Sequence, residues 1–158
     1  MDCAHDKGMF ASFDTGWDPC GWSKRNVKSA RKVIKSADIF LPNFDEARMI
    51  TGLSDKNEIC DSLMELGPKL IALKGGSAGS FIATPKERVS LHAYSVKVVD
   101  STGAGDAFNA GLVYAHSRGW SIKKTGLFAN ACGALSVTGF GTENYATARK
   151  ALALMASF

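Results

Sequence analysis

The apolar and polar positions of this chain change period several times. MFASFD (residues 9–14), DIFLP (38–42) and KLIALK (69–74) are short apolar runs of strand length, set off by Gly or Pro. Between them the spacing turns helical. In SKRNVKSARKVIKSAD (23–38), Val27, Ala30, Val33, Ile34 and Ala37 share a helix face, and Ser23 stands at the N-cap position. Asn43 opens a second helical stretch, FDEARMITG, ended by Gly52. Asp55 caps a third, KNEICDSLMELG, with Ile59, Leu63 and Leu66 on one face. After the turn GGSAG come three β-like runs, SFIAT, RVSLHA and YSVKVV. From Gly103 onward the pattern is helical, in 107–119, 121–139 and 144–158. The first two of these carry Ala, Gly and large apolar residues on several faces, as buried helices do.

Strands alternating with helices predict an α/β sheet with helices packed on it. With 158 residues, and no repeat, linker or low-complexity segment, one domain over 1–158 is expected. The opening MDCAHDKGMFASFD resembles a helix tail feeding a buried strand, an entry in mid-fold.

Composition narrows the function. A hydrophobic fraction of 46% and a charged fraction of 22% are those of a globular protein, and neither a membrane span nor a signal-peptide pattern is visible, so a cytoplasmic location is expected. Cys3, Cys20, Cys60 and Cys132 form no C-x-x-C pair, and His5, His92 and His116 have no ligand spacing, which argues against zinc and disulfides. Much of the +4 net charge lies on the helix after Ser23. No aromatic residues interleave its lysines, so it reads as a solvated face rather than a nucleic-acid platform.

Three stretches carry chemistry. In DSTGAGD (100–106) a strand ends at Asp100, and a helix begins near Gly103 or Ala104. Its first-turn N–H groups favour an anion, and Gly103 and Gly105 let another molecule approach the backbone. Asp106 beside that anion suits a base that takes a proton from an attacking hydroxyl; an acid stabilised by the helix dipole is the plainer alternative. In NFDE (43–46), Asn43 and Glu46 share a face and suit either a hydrated Mg²⁺ or a capping box. In KGGSAGS (74–80), Lys74 with Gly76 and Gly79 suits polyphosphate, while a hairpin explains the glycines alone. A dinucleotide fingerprint fails at Phe108, and no P-loop lysine is in place. Three such stretches, each after a strand, point to phosphoryl transfer from a nucleotide.

In this order the three stretches resemble the ribokinase-like (PfkB) carbohydrate kinases, and the likeness extends through NACGALSVTGFG. The resemblance implies a Rossmann-like three-layer α/β/α fold. It also implies that only the C-terminal half of that fold is present, its nucleotide-binding and catalytic portion, lacking the N-terminal strands and the β-lid. It implies ATP-dependent phosphorylation of a sugar hydroxyl, with Asp106 as base and Gly103, Ala104 and Gly105 as the anion hole. Asn43 and Glu46 would organise Mg²⁺ through water; Lys74, Gly76 and Gly79 would meet the nucleotide phosphates; Asn130 would line the adenine pocket. Asp100, Thr102, Ser136, Gly139 and Gly141 match a monovalent-cation site, with K⁺ the candidate, although Tyr145 stands where a small hydroxyl residue often completes it. SFDTGWDP resembles a stretch of fructokinase-like and ketodeoxygluconate-kinase-like members, which places Asp14 at the substrate and favours a sugar over a nucleoside such as adenosine. The expected partners are the sugar and ATP, with a homodimer or a complementing N-terminal half as protein partners, and neither nucleic acid nor membrane. The rival reading is a non-catalytic nucleotide-binding fragment that needs a partner chain.

Overall fold

The computed structural model describes residues 1–141 and 144–157. Phe158, the last residue of the expected third C-terminal helix, lies outside them. Contacts divide the chain into two compact units: Met1–Gly75 with Phe81–Arg88, and Gly76–Ser80 with Val89–Phe158.

In the first unit, α1 (Asp2–His5) leads into β1 (Ser12–Phe13). Then follow α2 (Lys24–Ile34), β2 (Ile39–Phe40), α3 (Phe44–Thr51), α4 (Lys56–Met64) and β3 (Leu70–Lys74). The helix starts fall where the capping residues put them. The Ser23 hydroxyl accepts from Asn26 N, Asn43 Oδ1 from Glu46 N, and the Asp55 carboxylate from Asn57 N and Glu58 N. Strands β1, β2 and β3 run parallel, as their helical crossovers require. Burying the apolar faces of α2, α3 and α4 on them gives a core of Ile34, Phe40, Ile50, Ile59, Leu63 and Ile71. Each such side chain contributes about 1.5–3 kcal/mol by burial.

The expectation of a sheet without its N-terminal strands is corrected here. The sheet has five strands in the order β1-β2-β3-β4-β5, with β4 at Ser80–Ala83 and β5 at Arg88–Leu91. Its first two members come from the N-terminal forty residues. The pairing is physical: Ile39 N donates to Ala11 O at 3.1 Å and Leu41 N to Phe13 O at 2.9 Å, and the Phe13 and Phe40 rings stack at 5.8 Å.

The second unit is mainly helical: α5 (Ala104–Ser117), α6 (Ile122–Ser136) and α7 (Ala148–Ala156). Small residues let α5 and α6 close tightly; a Cβ on Gly111 would meet Cys132 Sγ at 2.8 Å. Tyr94, Ala115, Phe128, Ala131, Cys132 and Ala151 form this unit's core. YSVKVV is not a strand here. Val99 N and Asp100 N both donate to Val137 O, so its end is pinned to the residue that caps α6. Among the described residues no helix is long and apolar enough to cross a membrane.

Candidate functional site

In the first unit three of the polar candidates stand at strand ends, the first being Asp14 directly after β1. Asn43 follows β2, Lys74 ends β3, and a parallel bridge joins the two, with Lys74 N donating to Pro42 O at 3.0 Å. Asn43 and Glu46 form a full capping box: Asn43 N donates to Glu46 Oε2 at 2.8 Å, and Glu46 N to Asn43 Oδ1 at 2.8 Å. The Thr15 hydroxyl donates to the same Oε2 at 3.4 Å. Glu46 is only 3% exposed. Burial, assisted by the Asp14 charge, raises its pKa above the ordinary glutamate value, although the Asn43 N–H, Lys74 and Thr15 all pull it down.

Lys74 Nζ makes an ion pair with Asp14 Oδ2. The lysine expected at the nucleotide phosphates and the acid expected at the substrate are therefore in direct contact. Thr15 and this ion pair are the members of the cluster that sequence reading missed. Lys74 and Asp14 are 60 residues apart, and no local spacing links them.

In the second unit, Gly76–Ala78 forms a single 3-10 turn, closed by Gly79 N donating to Gly76 O at 3.0 Å. Asn130 lies on α6, 8% exposed, and its Nδ2 donates to His92 O at 3.1 Å.

The DSTGAGD loop is braced by its first aspartate. Asp100 Oδ1 accepts from Thr102 N and Oδ2 from Gly141 N, both at 2.9 Å, and these bonds hold its pKa below the ordinary aspartate value. So Asp100, Thr102 and Gly141 of the candidate cation site do come together. Ser136 instead turns its hydroxyl back to Gly133 O at 2.8 Å, and Gly139 packs on Asn144, where an added Cβ would lie 2.8 Å from Asn144 Cβ. Tyr145 is exposed.

Helix α5 starts differently from its neighbours. Its N-cap is Gly103 in the left-handed region, with φ 77° and no side-chain cap bond. By contrast α2, α3, α4, α6 and α7 are all capped by a side chain. Ala104 N donates to Ser101 O at 3.2 Å, and Asp106, in the same first turn, is exposed. A helix start with no capping oxygen of its own suits an anion from outside. Among the described residues no group of three or more His, Cys, Asp or Glu could hold a bare metal ion.

The family model described as "pfkB family carbohydrate kinase" matches residues 1–149. That match runs through nearly the whole chain and corrects the expectation of a resemblance limited to a C-terminal half. An uncharacterized sugar kinase of Archaeoglobus fulgidus is 35% identical over 132 residues, 84% of this chain and 51% of its own length. The 2-dehydro-3-deoxygluconokinase of Bacillus subtilis is 30% identical over 156 residues, 97% of this chain and 48% of its own. A solved fructokinase double mutant of Vibrio cholerae, bound to fructose, ADP and potassium, matches with a TM-score of 0.85 at 26% identity, over 96% of this chain and 52% of its own. The chain thus spans about half the length of the curated relatives it matches. The DSTGAGD loop, the NFDE capping box and the glycine turn after β3 all lie within the matched residues, and the chain belongs to the pfkB family of carbohydrate kinases.

Proposed function

We propose that this chain takes part in ATP-dependent phosphoryl transfer to a sugar hydroxyl in the cytosol. The observation that carries the reading is the start of α5, where an uncapped, glycine-led helix N-terminus stands beside an exposed carboxylate, Asp106. Asp106 takes the proton of the acceptor hydroxyl as its oxygen attacks the γ-phosphorus. The bond from that phosphorus to the β-bridging oxygen breaks, and ADP leaves. The backbone of Gly103, Ala104 and Gly105 forms the anion hole for the charge that builds on the transferring group. Ala104 N is held by Ser101 O, so the N–H groups of Gly103 and Gly105 are the donors that face it.

Lys74 and the Gly76–Gly79 turn hold the nucleotide phosphates, and Asn130 lines the base pocket. Because Lys74 is paired with Asp14, the acid also fixes where the ammonium stands. Asn43 and Glu46 fit a hydrated Mg²⁺ rather than a caged one. The capping box occupies Glu46 Oε2 and leaves Oε1 outside it, and Mg²⁺ takes few protein ligands and keeps its waters. When bound, Mg²⁺ neutralises phosphate charge. K⁺ is assigned to the cluster of Asp100, Thr102 and Gly141, where the carboxylate has lone pairs beyond the two N–H groups it accepts. The likeness to the Bacillus subtilis enzyme and to the fructokinase favours a hexose or sugar acid as acceptor.

The test is ATP-dependent phosphotransfer over fructose, ribose, 2-dehydro-3-deoxygluconate and adenosine, with and without K⁺. Asp106→Asn is expected to lower turnover by about 10²–10⁴-fold with the fold intact. Unchanged turnover in that variant would remove Asp106 from the role of base.

A further inference from the structure

We infer that a groove along α2, in the first unit, binds a small phosphorylated molecule of about nucleotide size. The groove has a volume of about 870 Å³, within the range of small-molecule sites. Five cations line it, Lys24, Lys28, Arg31, Lys32 and Lys35, and no carboxylate does. Among the described residues none of the five forms an ion pair. Arg31 is anchored, its Nη1 donating to Ile50 O at 3.2 Å, while the four lysines are exposed.

Lysines at 24, 28, 32 and 35 recur every three or four residues, so they form one stripe about 16 Å long. Like charges at that spacing destabilise a helix by a few tenths of a kcal/mol per pair. A bound polyanion reverses the sign of that effect. The floor is of the opposite character, made by Val27, Ile50, Leu66 and the buried Trp22. A cationic edge over an apolar floor fits one molecule that carries phosphates at one end and a carbon body at the other. Nucleic acid fits less well, because the floor's one aromatic side chain, Trp22, is 7% exposed and offers no stacking platform. None of these residues has a part in the transfer reaction proposed above, and the groove does not depend on it.

The test is a titration of the ¹⁵N-labelled chain with inorganic tripolyphosphate at low salt, followed by amide shifts. Saturable shifts are expected across residues 24–35 and 49–52. A Lys28→Glu/Lys32→Glu double variant should weaken that binding about tenfold or more, and the milder Lys28→Gln/Lys32→Gln pair less, with amides elsewhere unmoved. Shifts confined to residues 103–106 overturn the groove while leaving the transfer reading standing. Binding unchanged by charge reversal, or seen only with heparin or RNA, overturns it as well.

Discussion

Gly79 illustrates how much one residue can decide. Its φ is +88°, and a Cβ there would lie 1.9 Å from Leu91 O and 2.8 Å from Ala93 N. Both obstacles are backbone, which yields far less readily than a side chain. Gly76, three residues earlier, also has positive φ, but an added Cβ meets nothing within 4 Å. Gly79→Ala is therefore expected to cost about 2–4 kcal/mol in urea unfolding, against about 1 kcal/mol for Gly76→Ala. Equal losses would show that the approach to Leu91 is not what fixes this glycine. From sequence the same glycine read equally as part of a hairpin or of a phosphate loop, because a missing side chain does not say what comes close. The Asn43–Glu46 box was legible, since both bonds close within three residues. The Asp14–Lys74 pair was not, because only the parallel register of β1, β2 and β3 brings residues that far apart into contact.

At the level of elements, the helices were legible nearly to their caps because capping is local chemistry. Ser23, Asn43 and Asp55 all stand where the sequence put them. YSVKVV was misread because alternating valines look the same whether their backbone partner is a strand or the end of α6. The β1–β2 pairing owes much to Asp38, at the entry to β2. Its Oδ2 accepts from Ala11 N at 2.7 Å and lies 2.9 Å from His5 Nε2. The Ala11 N–H, with a smaller contribution from His5, holds the Asp38 pKa below the ordinary aspartate value against the opposing effect of burial. With the folded pKa depressed, the unfolded chain protonates first as pH falls. The stabilisation is thus complete above the unfolded value, and it is lost as pH falls through the folded one. Asp38→Asn should flatten the dependence of urea stability on pH between about 5 and 2. The slope should shrink rather than vanish, since hydrogen bonds also hold Asp18, Asp55 and Asp100 low. An unchanged slope would mean that Asp38 does not fasten these strands.

Across the whole molecule, apolar periodicity announced a core but not its division, because two buried faces look alike in sequence. The structure gives each unit its own cluster, and each cluster holds one thiol: Cys60 beside Leu63 and Ile59 in the first, Cys132 with Phe128 and Ala131 in the second. Cys3 and Cys20 are exposed. Burial pushes the Cys60 thiol up to about 12 and Cys132 up to about 11, so neither forms thiolate near neutral pH without an opening of its cluster. Labelling with Ellman's reagent should therefore count two thiols in the native chain and all four in denaturant. The slow pair then reports each core separately. Leu63→Ala removes about 2–5 kcal/mol of packing beside Cys60 and should speed its labelling, while Phe128→Ala should do the same for Cys132. Mass-spectrometric assignment of the labelled cysteine decides the outcome. If Cys60 or Cys132 labels as fast as Cys3 in the unsubstituted chain, that unit's core is not closed in the way its burial requires.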